Sequence, residues 1–107
     1  MAWKVLRRLD KDEVAHYVRP HAGVYMLFSS EGGPPRYVGR ALKLYDRLRA
    51  HAQNGEYKLF TSEYSSSPRQ CFDRECTLFH RHQATIDNQN HPTADPGTRW
   101  HCPVCGL

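Results

Sequence analysis

The rhythm of apolar and polar positions changes repeatedly between residues 10 and 82, and each change marks an element. Residues 10–18, DKDEVAHYV, open with Asp10 as an N-cap and Glu13 three positions on, then stop at Arg19-Pro20. That pattern predicts a short helix packed against the sheet that follows. Residues 23–29, GVYMLFS, are β-branched and aromatic and run into the turn residues SSEGGPP; RYVGR at 36–40 reads as the return strand of a hairpin. From Leu42 to about Gln53 the period becomes helical. Leu44 and Leu48 lie four apart, as do Arg47 and His51, and Asn54-Gly55 supplies a C-terminal stop. EYKLFTSEYSSS at 56–67 suits a third strand closing in a serine-rich loop. Pro68 sits well in the first turn of a helix over 68–82, which carries Phe72, Cys76, Phe79 and His80 on an inward stripe. Beyond Ala84 no period survives, and DNQNHPTADPGTRWHCPVCGL reads as irregular backbone.

These elements predict an α+β fold: a small antiparallel three-stranded sheet from residues 23 to 66, flanked by helices near 10–18, 42–53 and 68–82. A chain of 107 residues holds one core, so the expectation is a single domain over 1–107, with a core at 22–92 and a tail at 93–107. At this size about two-thirds of the unfolded surface is buried, close to the range where a metal or partner adds needed stability. The formal net charge of +4 leans towards phosphate-bearing partners without the excess of a pure nucleic-acid scaffold. No apolar run approaches the roughly 20 residues needed to span a bilayer, and Met1 to Leu9 lacks the apolar centre of a secretory signal. A cytoplasmic protein with reduced thiols is expected.

Alternate residues of a strand share a face, so Tyr25 and Leu27 point one way, and Tyr37 shares a side with Gly39 on the next strand. Two antiparallel strands can thus bring both phenols to one surface. On the following helix Arg47 and His51 lie about 40° apart and can face the same place.

Gly23-Val24-Tyr25 and Tyr37-Val38-Gly39 resemble the paired triplets of the GIY-YIG nuclease family. The family's arginine falls eight residues after the glycine of the second triplet and a histidine four later, which here are Arg47 and His51. Its acidic metal ligand lies on a later helix; in FDRECTLFHRH the carboxylates are Asp73 and Glu75, and Glu75 is preferred. The resemblance covers roughly residues 22–92. Either triplet alone is an ordinary strand sequence, and Arg47 with His51 alone an ordinary solvated helix face. It is their joint spacing that is specific. The resemblance implies hydrolysis of DNA phosphodiester bonds, with Glu75 holding Mg²⁺ or Mn²⁺ and Arg47 stabilising charge on the phosphate. It further implies Tyr25 as base or water-orienting group, Tyr37 as a phosphate contact, and His51 as support for the tyrosines or as a proton carrier. Arg40 is a secondary phosphate contact, and Arg36, Lys43 and Arg49 extend the basic face. The family's asparagine is expected near Asp87, which stands twelve residues after Glu75, with a slip to Asn88 or Asn90.

The second constellation is Cys102-Pro-Val-Cys105, which has the gap of a zinc knuckle. Two more ligands are needed from Cys71, Cys76, His80, His82, His91 and His101. Five residues along a helix turn about 140°, so Cys71 and Cys76 cannot easily meet one ion, whereas Cys76 and His80 lie about 40° apart and can. The expectation is structural Zn²⁺ held by Cys76, His80, Cys102 and Cys105, with Glu75 about 100° away from Cys76 and free to face a different site. Four-cysteine ligation is the alternative, and requires Cys71 to lie before the helix starts.

The leading expectation is a metal-dependent DNA endonuclease, whose specificity would come from loops, a protein partner or a homodimer. Against it stand a nucleic-acid-binding domain that has lost turnover and a zinc-stabilised protein-interaction module in which the tyrosines are packing.

Overall fold

The computed structural model describes residues 6–107. The expected absence of a secretory leader in residues 1–9 therefore falls mostly outside the described residues. The elements in chain order are β1 (Arg7–Arg8), α1 (Lys11–Tyr17), β2 (Gly23–Phe28), β3 (Pro35–Ala41), α2 (Leu44–Asn54), β4 (Leu59–Tyr64) and α3 (Pro68–Arg81). The fold is α+β as expected, but the sheet has four strands in the order β1-β4-β2-β3, not three. The extra strand is two residues long, pairing Arg7 with Phe60 and Arg8 with Leu59. A strand this short leaves no alternation to read, and only its partner β4 defines it.

The helix boundaries follow local chemistry. Asp10 caps α1 by accepting from the Glu13 amide at 2.8 Å, and Arg8 in turn pairs with Asp10. Ser67 caps α3 by accepting from the Gln70 amide, with Pro68 in the first turn where its missing N–H is not needed. α2 ends on Gly55 at φ 75°, the left-handed conformation that suits glycine.

β2 is hydrogen-bonded to β3 on one side and β4 on the other. It is also covered on both faces, so all six of its residues are buried. That accounts for its continuous apolar run, which lacks the polar half of a solvated strand. On one face Tyr25 and Leu27 pack with Val14 of α1 and Leu44 and Leu48 of α2; on the other Val24, Met26 and Phe28 pack with Cys71 and Leu78 of α3. No helix among the described residues is long and apolar enough to cross a membrane.

Two glycines are required by close approach. A Cβ on Gly23 would lie 2.2 Å from the Glu63 carbonyl oxygen, and one on Gly39 would lie 2.4 Å from the ring and hydroxyl of Tyr25. Tyr25 and Gly39 are directly opposed in the β2–β3 register. The repeated triplets thus make one contact, an aromatic ring laid across a position without a side chain. Gly39→Ala should cost about 1–3 kcal/mol through overpacking, read as a lowered urea midpoint at unchanged slope. Parent-like stability would show that the Tyr25 ring can swing away from β3 at little cost.

Candidate active site

Tyr25 has no exposed surface, and its hydroxyl lies 3.0 Å from Nε2 of His51 on α2. The Tyr37 ring stacks on that of Tyr25 at 6.2 Å and 21°, while the His51 ring is 5.4 Å from each phenol. Burial, and secondarily Tyr37, pushes the Tyr25 phenol well above its ordinary pKa, although the neighbouring Arg47 guanidinium pulls the other way. Burial and the charge of Arg47 both push His51 down. The pair therefore rests neutral, joined by a hydrogen bond between the Tyr25 hydroxyl and His51 Nε2. Tyr57, which the sequence reading did not single out, packs on the far side of Tyr37 at 6.1 Å, and its hydroxyl donates to Asp87 at 2.9 Å.

β3 is the outer strand of the sheet among the described residues, so side chains from its two faces meet around its free edge. Tyr37 and Gly39 face α2, whereas Arg40 faces α3 and reaches Glu75, Nη1 to Oε1 2.5 Å. Glu75 is 9% exposed and lines two cavities. One, of about 480 Å³, is shared with Tyr37, Tyr57, Asp87 and Asn88. The other, of about 500 Å³, is shared with Arg40, Arg47 and Asp95. Burial raises the Glu75 pKa, and Arg40 is the main opposing influence.

Arg40, expected at a phosphate, has its guanidinium held by three protein oxygens in this structure. Besides Glu75 it donates from Nη2 to the Thr93 carbonyl at 2.6 Å and to Asp95 at 3.0 Å. Burial opposes its charge, but Glu75 and Asp95 hold it firmly protonated. Arg36 likewise pairs with Asp87 at 2.9 Å. Lys43, Arg47 and Arg49 are exposed, and Arg47 reaches back to the Arg40 carbonyl oxygen at 3.5 Å. Asn88, expected at nucleic acid, grips the edge of the second triplet. Its Oδ1 accepts from the Val38 amide at 3.0 Å and its Nδ2 donates to the Val38 carbonyl at 2.7 Å. Both ends of the amide are spent on backbone groups that an edge strand would otherwise leave open. Asp95, Thr93 and Tyr57 were missed because they follow no period or motif; each is placed by a contact far away in sequence.

A separate cluster forms where the tail meets α3. Ligand atoms of His80, His91, Cys102 and Cys105 all lie within 4.8 Å of one another, a group that could hold a metal ion. Three of these were expected, but His91 takes the place expected for Cys76. Cys76 is fully buried with Phe72 and Cys102, and burial together with the Cys102 thiol pushes its own pKa up to about 12. Burial acts in the same upward sense on Cys102, but the Cys105 and Val104 amides and His91 outweigh it and bring that thiol down to about 6. Cys71 lies inside α3 and packs on the sheet face, so the condition for four-cysteine ligation is not met.

No protein-family model matches the chain, and no curated protein matches it. Among solved structures it is similar to the GIY-YIG N-terminal endonuclease domain of UvrC from Thermotoga maritima bound to magnesium. The two are 22% identical, with a TM-score of 0.55 over 63% of this chain and 83% of that one. A point mutant of that domain bound to the catalytic divalent cation gives 21% identity and a TM-score of 0.54 over 63% and 82%. A second such mutant gives 22% and 0.55 over the same shares. The chain has a GIY-YIG-like fold.

Asn88→Ala should destabilise the protein by about 1–3 kcal/mol, since it strands the Val38 amide and carbonyl, and should speed hydrogen exchange at the Val38 amide. Asn88→Asp keeps the acceptor and should protect that amide partly. Unchanged exchange in the alanine variant would rule out the clasp.

Proposed function

We propose that the protein is a metal-dependent endonuclease that hydrolyses DNA phosphodiester bonds at the edge of β3. The observation that carries this reading is Glu75, which forms a wall common to the cavity of Tyr37 and the cavity of Arg40 and Arg47. Glu75, the phenols of Tyr37 and Tyr57 and the guanidiniums of Arg40 and Arg47 stand around adjoining spaces that also hold Asp87 and Asp95. That arrangement suits a divalent cation with a phosphodiester better than a neutral ligand. The likeness to a solved endonuclease domain that binds magnesium supports it.

Glu75 fits a magnesium site: it offers hard oxygen ligands facing both cavities, and a single protein carboxylate is a common anchor for that ion. A divalent cation there, Mg²⁺ or Mn²⁺, would relieve charge on the phosphate and on the departing 3′ oxygen. Arg40 would yield its hold on Glu75 and keep Thr93 and Asp95. Arg47, exposed beside the same cavity, binds a non-bridging phosphate oxygen. Tyr37 is half-buried and lines the cavity it shares with Glu75, so its hydroxyl orients the attacking water. The water-orienting role implied for Tyr25 passes to Tyr37, because the buried Tyr25 phenol cannot reach solvent. Tyr25 instead fixes His51, and the two rings hold Tyr37 between them and Tyr57. Lys43 and Arg49 steer DNA towards this edge. Specificity would come from loops, a protein partner or a second copy, in a cytoplasmic setting that keeps the cysteines as thiols.

The Arg40–Glu75 ion pair favours a second reading, a nucleic-acid-binding domain without turnover, because Arg40 occupies an oxygen that a cation needs. Nicking of supercoiled plasmid in Mg²⁺ or Mn²⁺ separates the two. The nuclease reading expects cleavage by the parent, none by Glu75→Ala, and DNA binding by both. Salt-sensitive binding with no cleavage of any DNA form by the parent would establish the second. Arg47→Ala should slow cleavage on the order of 10²-fold while changing affinity much less, if its contact tightens in the transition state.

The pH profile tests His51. The uncharged form of His51, which supports the two phenols, persists below the ordinary imidazole range because burial and Arg47 depress its pKa. The acid limb of the rate should therefore lie below about 6.5, and should move in His51→Gln. An unchanged limb in that variant would remove His51 from the reaction.

A further inference from the structure

The cluster of His80, His91, Cys102 and Cys105 lies outside the proposed nuclease site and is not explained by it. We propose that these four side chains bind one Zn²⁺ ion tetrahedrally and thereby fasten the C-terminal segment to the end of α3.

The spacing of the donors is what such a site requires. Zinc bonds of about 2.0 Å to nitrogen and 2.3 Å to sulfur put tetrahedral edges at about 3.3 Å between nitrogens and 3.5 Å between nitrogen and sulfur. His80 Nε2 and His91 Nε2 are 3.2 Å apart, and Cys105 Sγ is 3.4 Å from His91 Nε2. No pair among the four exceeds 4.8 Å, so a small contraction closes the set. Two imidazoles and two thiolates in this shape select zinc over the harder divalent cations.

The surroundings orient the donors. His91 Nδ1 is 2.7 Å from the Pro92 carbonyl oxygen, which can only accept, so Nδ1 carries the proton and the Nε2 lone pair faces the cluster. The Val104 amide donates to Cys102 Sγ at 3.4 Å, leaving the thiolate polarised and held. The turn closes through Gly106, at φ 80°, whose amide donates to the Cys102 carbonyl, while the Cys102 amide donates to the Leu107 carbonyl. Cys76 sits one helical turn before His80 and packs beside Cys102 and Phe72, but it is not among the four residues whose donor atoms close on one another.

The consequence reaches the nuclease site without depending on its chemistry. Between His91 and Cys102 the chain carries Thr93 and Asp95, the two tail residues that grip Arg40 beside Glu75. With His91 and Cys102 tied to one ion, a segment that has no helix or strand keeps those oxygens in register with β3.

Metal analysis of the purified chain, followed by exchange with Co²⁺ and absorption spectroscopy, tests the assignment. The expected result is one zinc per chain and a cobalt form with the intense visible bands of tetrahedral coordination. Cys76→Ser should keep both. His91→Ala should lose the bands and most of the metal, and His91→Cys should retain the metal with stronger thiolate charge-transfer absorption. No metal bound after refolding in zinc, or a parent-like cobalt spectrum in His91→Ala with its loss in Cys76→Ser, would overturn the proposal.

Discussion

Tyr25 lies across Gly39, and most of the site's geometry follows from that contact. The ring occupies the volume of an absent side chain on β3, which lets it sit flat between the sheet and α2 and present its hydroxyl to His51. Tyr37 then stacks on Tyr25 and stays half-buried, and Tyr57 closes the far side. Four aromatic rings from two strands, a helix and a connecting segment form one layer. The buried members carry no charge: low dielectric keeps the phenol protonated against the pull of Arg47, and low dielectric together with the Arg47 cation keeps the imidazole unprotonated.

Chemistry collects at β3 because it is a long outer strand among the described residues. A central strand such as β2 is sealed on both faces and both edges, and can only supply packing. β3 has one edge to spare, and Asn88 satisfies its exposed backbone at Val38 with a side chain instead of a further strand. The edge is thereby blunted against pairing with another chain. It also stays thin enough for Tyr37 on one face and Glu75 from the other side to look into one cavity.

Arg40 links the parts that the sheet does not. Its guanidinium joins β3 to Glu75 of α3 and to Thr93 and Asp95 of the tail. The two carboxylates are offset by the same half-buried cation, and the Thr93 carbonyl helps to hold it, so loss of any one partner loosens its grip on Glu75. The irregular tail therefore bears directly on the electrostatics of Glu75. A metal tie through His91 and Cys102 would give that tail the rigidity it lacks in secondary structure.

The sequence by itself determined the parts that repeat over short distances. Three helices, the Asp10 cap and the Gly55 stop, the β2–β3 hairpin, the third long strand and the placing of Arg47 and His51 on one helical face all rest on spacings of a few residues. Local sterics and hydrogen bonding enforce these wherever the chain goes. Tertiary structure alone decided the rest. β1 exists only because β4 is there to pair with it, and nothing local reveals that Asn88 stands beside Val38, fifty residues earlier. His91, and not Cys76, stands with His80, Cys102 and Cys105, because helix geometry can rank residues within α3 but says nothing of where an aperiodic tail returns. Contacts between distant residues on irregular backbone leave no period to read, since what holds them is the closing of the fold and not the stretch of chain in which they lie.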